Sequence, residues 1–248
     1  MKKGSQPFSY FEILDACKEP DCPVCTLGHV SANRHLTSLI FDGVNDVRLR
    51  NTLRKSLGYC HEHAWLLPDA GESATLGIAI IHRDLLNTIR RRLDESDFGK
   101  SSRRDKLKSV VAEAIRLDDA TIPMGSTKYL PTKAQCPACE RRDEAENLAL
   151  KSLIDALEDQ DEQMAEALKM SDGLCLSHLR QTLESMRSHQ AFDKLVKITQ
   201  DQLSALILEL DEFIRKSDHR FRHEKISDSE RESWRRALQR VVGPKTGI

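Results

Sequence analysis

Aromatic residues are scarce in this chain. It holds 7 Phe, 3 Tyr and 2 Trp among 248 positions, 5% in all. Glycine is scarce too, at 11, and no segment keeps the polar–apolar alternation of a half-buried strand. A sheet-rich fold is therefore disfavoured. No apolar run approaches the ~18 residues that cross a bilayer; the longest is Leu76-Gly77-Ile78-Ala79-Ile80-Ile81. Behind the charged start Met1-Lys2-Lys3 there is no apolar stretch, so a secretory signal is not expected and the expected compartment is cytoplasmic. Net charge is missing as well. Lys and Arg total 38 against 39 Asp and Glu, a balance of −1, which gives nucleic acid no bulk electrostatic footprint. The chain also carries no P-loop, GxGxxG, GxSxG or HExxH signature.

What is present points to helices. Charged residues reach 31% and apolar ones 39%, enough to fold and to build a core without staples. Seven cysteines stand out, because a reducing compartment does not favour disulfides. Cys22-Pro23-Val24-Cys25 reappears as Cys136-Pro137-Ala138-Cys139, and Gly58-Tyr59-Cys60-His61-Glu62-His63 as Gly173-Leu174-Cys175-Leu176-Ser177-His178. The first pair is offset by 114 residues and the second by 115. Two separated motifs keeping one offset imply an internal duplication, each half reading CPxC, then 34 or 35 residues, then GxCxxH.

Helical periodicity runs between and after these motifs. Leu27, Val30, Leu36, Leu39 and Ile40 form one stripe, broken at Gly43. Val44 to Leu57 forms a second helix, with Gly58 as its C′ residue. In the second half Ala145, Leu148, Leu153 and Leu157 form a stripe, and Met164, Ala167 and Leu168 a shorter one. Longer helices are expected over 73–94 and 191–216, the latter spanning the interface between the halves. Ser227 and Glu230 fit a capping box that opens a last helix through Trp234 to Val241. The expected fold is all-α, with two homologous helical halves, each holding its own Cys3His metal site, and a C-terminal helix. The expected division is 1–95, a linker at 96–133 with a short helix at 106–117, a second repeat at 134–217, and a helical tail at 218–248.

These motifs, with the region from Phe213 to Ala237, resemble an uncharacterised prokaryotic family with duplicated CPxC…GxCxxH halves. The resemblance covers most of the chain and implies no established activity.

The chemistry follows from the donor types. Cys22, Cys25, Cys60 and His63 form the expected first quartet, and Cys136, Cys139, Cys175 and His178 the second. CxxC lets one tight turn aim two sulfurs at one ion, and CxxH at a helix start brings both side chains within reach of it. Thiolates with imidazole suit tetrahedral Zn²⁺, two per chain; an iron–sulfur cluster on the same ligands is the alternative. Four protein ligands close the zinc shell, which makes the metal structural and argues against hydrolase or transferase chemistry centred on it. Haem attachment is excluded, because Thr26 and Glu140 stand where CxxCH needs histidine. His61 is expected as an exposed helix residue, with replacement of His63 or a supporting hydrogen bond as the other reading. Glu62 is expected as a solvated helix residue, and Cys17 as a buried apolar one. The segment 215–240 carries nine basic and five acidic residues. It reads as a solvated helix face with internal ion pairs, and nucleic-acid backbone binding is the lesser alternative. The expected function is a metal-stabilised binding or scaffold protein whose protein or small-molecule partner the sequence does not name, with an iron–sulfur redox or sensor protein as the competing class.

Overall fold

A computed structural model describes residues 7–95, 135–221 and 223–245. All regular structure among them is helical. Ten α-helices follow one another: α1 Phe8–Ala16, α2 Pro23–Ser38, α3 Val47–Ser56, α4 His61–Trp65, α5 Thr75–Glu95, α6 Pro137–Glu158, α7 Glu162–Met170, α8 Leu176–Ser185, α9 His189–Lys216 and α10 Asp228–Val242. The expected short helix at 106–117 and the expected linker lie outside the described residues. No described helix is long and apolar enough to cross a membrane.

Local chemistry sets the helix ends. Asp46 caps α3 by accepting from the Leu49 N–H at 2.8 Å. Asp161 caps α7 and Ser188 caps α9 in the same way. Ser227 and Glu230 form the expected reciprocal capping box on α10. Gly43 does not simply stop the preceding helix. Leu39–Gly43 continues α2 as a π-turn, so α3 starts at Val47 and not at Val44. At the end of α3 it is Leu57, at φ 54°, that takes the left-handed cap, and Gly58 follows at φ 100°. The Gly58 N–H reaches back to the Leu53 carbonyl at 2.8 Å.

The chain forms two compact units, 1–35 with 138–248, and 36–137. In the first, a single apolar cluster joins Tyr10, Ile13, Leu14 and Val24 of the N-terminal helices to Leu150, Leu153, Leu157, Met164, Leu168 and Leu195. Ser9 and Ser152 hydroxyls meet at 2.6 Å, and the Tyr10 hydroxyl donates to Asp161 at 2.9 Å. Helix α9 packs on α7 and α10, and α10 also reaches α8. In the second unit, α3 packs on α5. Leu39, Ile40, Leu53, Ile81 and Leu85 are buried there. Arg54 grips the Asp84 carboxylate with two hydrogen bonds of 2.8 and 3.0 Å.

Candidate metal centres

Both CPxC motifs open a helix. Pro23 and Pro137 are the first residues of α2 and α6, where a missing N–H costs nothing and the fixed φ suits the helix. The Thr26 N–H bonds the Cys22 carbonyl at 3.0 Å, which closes the first turn and sets Cys25 beside Cys22. Both CxxH motifs also open a helix. Cys60 and Cys175 are extended N-cap residues at φ −66°, ψ 169° and φ −65°, ψ 161°. Each is followed by histidine at the third helical position, and the Sγ–Nδ1 separations are 3.2 Å for Cys60–His63 and 3.4 Å for Cys175–His178. Helix starts present N–H groups that favour thiolates over thiols.

All eight expected donors fall into two groups, each with its ligand atoms within 4.8 Å of one another. Their pairing differs from the expectation. One group is Cys22, Cys25, Cys175 and His178, and the other is Cys60, His63, Cys136 and Cys139. Each CPxC meets the GxCxxH that was expected in the other half. The reason is burial. Tyr10, Ile13, Leu14 and Val24 complete the apolar core built by α6 to α9, and that packing carries Cys22 and Cys25 to the start of α8. The Asp21 N–H donates to the Asp172 carboxylate at 3.1 Å and fixes the approach.

The first group has the dimensions of a four-coordinate site. A tetrahedron with Zn–S near ~2.3 Å and Zn–N near ~2.0 Å has S···S edges of about 3.8 Å and S···N edges of about 3.5 Å. Cys25 and Cys175 sulfurs lie 3.8 Å apart. His178 Nδ1 lies 3.5, 3.2 and 3.4 Å from the sulfurs of Cys22, Cys25 and Cys175. None of the seven cysteines is in a disulfide. In the second group, His63 Nδ1 lies 3.2 Å from Cys60 Sγ and 3.6 Å from Cys136 Sγ. The donor set of both groups, three sulfurs and one imidazole, fits a single borderline-soft ion.

The titrating members of the first group act on one another. Hydrogen bonds from Cys22 and Cys25, joined by one from His178, hold the Cys175 thiol far below the usual thiol range against its burial. Cys25 is pushed up, chiefly because it hydrogen-bonds to Cys175 and Cys22 and then because it is buried. Burial opposes a charged His178, yet contacts with Cys175, Cys22 and Glu146 push it up to about 11. Thiolate and neutral imidazole are the ligating forms, so binding a metal at this group would release protons.

Residues around the donors divide into expected and unexpected. His61 is exposed and lies edge-on to Trp65, with centroids 6.4 Å apart, outside the donor group. Cys17 is buried and joins neither group; burial, then the neighbouring Cys22, pushes it up to about 12. Glu146 is the unexpected one. Its Oε2 lies 3.5 Å from His178 Nε2, the carboxylate support that orients a ligating imidazole. Gly28 leaves room for it, because a Cβ there would fall 2.6 Å from Glu146 Oε1. Within the run Glu140-Arg141-Arg142-Asp143-Glu144-Ala145-Glu146 nothing in the sequence sets Glu146 apart.

Comparison with known proteins adds a family and no activity. The family described as "Family of unknown function (DUF6062)" matches residues 8–247. The chain is similar to a protein of Caldicellulosiruptor sp. (strain Rt8B.4), described as "Uncharacterized 23.9 kDa protein in xynA 3'region". The two are 23% identical over 237 residues, which is 93% of this chain and 99% of that protein. No solved structure matches.

Proposed function

The chain belongs to the DUF6062 family, and from the donor geometry we propose that it is a helical binding or scaffold protein held together by two structural zinc ions. The observation that carries this reading is the buried first group, whose S···S and S···N separations of 3.2–3.8 Å are those of ligands around one tetrahedral ion. An iron–sulfur cluster sets iron and sulfide between its ligands and would hold the same sulfurs further apart. Bound zinc supplies a cross-link between distant segments and no reactive position, because protein ligands fill its shell. The chain's own residues do the rest. Cys22 and Cys25 would hold the ion from the start of α2, Cys175 and His178 from the start of α8, and Glu146 would hold the imidazole orientation.

The basic C-terminal segment supports a partner other than nucleic acid. Arg215 pairs with Glu212 and Glu224, Lys216 with Glu230, Arg220 with Asp218, and Arg235 with Glu232. Cations already engaged within the fold give little counterion release on a phosphate backbone. The test is elemental analysis of anaerobically purified protein. The expected result is a colourless sample with two zinc ions per chain. Iron and sulfide with absorbance near ~400 nm would replace this reading by the redox one, and metal-free folded protein would end it.

A further inference from the structure

Arg240 is the most deeply placed guanidinium of the C-terminal helix, 9% exposed on α10. Its Nη1 donates to the Leu174 carbonyl at 2.7 Å, the residue immediately before Cys175. Its Nη2 donates to Gln202 Oε1 at 3.1 Å. Gln202 in turn donates to the carbonyls of Leu168 and Ser171, at 2.8 and 3.0 Å. Gly173 makes this approach possible. It sits at φ 77°, and a Cβ there would lie 2.0 Å from Arg240 Nη1. Three residues further on, a Cβ on Gly243 would touch Cys25 Sγ at 3.8 Å. The end of α10 therefore lies over the first donor group.

A buried cation needs a counter-charge. Burial works against the Arg240 charge, and the acidic groups whose fields favour it are those of Cys22, Asp172 and Cys175. Arg236, one turn earlier, serves a different anion, Glu209. Three thiolates and a neutral imidazole around a divalent ion carry one net negative charge, and Arg240 carries one positive charge.

We infer that Arg240 is the built-in counter-charge of the first metal centre, so that metal binding there and docking of α10 stabilise each other. This inference rests on the metal reading above. By linkage, whatever the ion gains from the docked helix, the helix gains from the ion. The cation lowers the cost of gathering three thiolates, and the metal-bound thiolates lower the cost of burying the cation.

The experiment uses the full-length zinc-loaded chain and three variants, Arg240→Gln, Arg240→Lys and Arg236→Gln. Zinc release to a chromophoric chelator and amide hydrogen exchange over 228–242 are both read, with far-UV circular dichroism confirming that each variant is folded. Loss of a residue that supports a metal site costs about 10–100-fold in metal affinity. The expected result is that Arg240→Gln weakens one of the two zinc ions by about tenfold and raises exchange in α10, that Arg240→Lys restores most of the affinity, and that Arg236→Gln raises exchange but weakens zinc far less than Arg240→Gln does. Equal zinc loss in Arg240→Gln and Arg236→Gln would reduce Arg240 to a docking contact and overturn the inference. Wild-type affinity in Arg240→Gln would overturn it too, with two bound zinc ions still upholding the metal reading. A wild-type chain with no metal at the first group would overturn both.

Discussion

The two donor groups share one chemistry and differ in how deeply they sit. In the first, Cys22, Cys25, Cys175 and His178 are all buried; in the second, His63 and Cys136 are buried while Cys60 and Cys139 are half-buried. Three ligands of the first group, Cys22, Cys25 and Cys175, belong to the apolar core that also contains Leu153, Leu157 and Met164. The same donors therefore serve two degrees of protection. An ion held by donors that are part of the core would be lost together with the core; one held by sulfurs that meet solvent could exchange while its surroundings stay folded.

The largest test of that contrast is removal of one thiolate from each group. Cys175→Ser should lose one metal per chain and cost several kcal/mol, because it breaks a core residue and a cross-link at once. Cys60→Ser should also lose one metal but lower the melting temperature less. Calorimetry with metal analysis checks both, and equal destabilisation would erase the distinction drawn from burial. A second test sharpens it without mutation. Limiting thiol reagent added to the zinc-loaded chain should modify Cys60 and Cys139 before Cys22, Cys25 or Cys175, since attack needs an accessible sulfur. Peptide mapping by mass spectrometry reads the order. The smallest effect is expected from Glu146→Gln. It should weaken metal at the first group by about tenfold with little change in fold, because the amide still reaches His178 but no longer carries charge. A chelator titration in which both ions weaken alike would show that Glu146 does not act through His178.

The eight donors were legible in the sequence because their chemistry is local. A proline at the first helical position and a cysteine at the N-cap each fix a turn from neighbouring residues alone, and those turns came out as the spacing required. The helices were legible for the same reason, as was the capping box of Ser227 and Glu230. The pairing was not. Spacing within a motif carries no information about which distant motif it meets. That choice was made by Tyr10, Ile13, Leu14 and Val24, whose apolar side chains mark them as core without saying whose core. Glu146 and Arg240 were hidden by company, each one charge among many on a helix, and only the approaches allowed at Gly28 and Gly173 distinguish them.

The crossed pairing has a consequence for the order in which the molecule can be assembled. Cys25 and Cys175 are 150 residues apart, and His63 and Cys136 are 73 apart within that span. The donor groups are nested along the chain, not in tandem. On a ribosome adding about 5–20 residues per second, the inner quartet is complete first. The outer one is complete roughly 2–8 s later, when Cys175 and His178 have been added to Cys22 and Cys25. Once closed, a loop of that length removes about 5 kcal/mol of entropy from the unfolded chain on the chain-entropy account of cross-links. Among the eight candidate donors, the thiols synthesised first thus belong to the group that closes last.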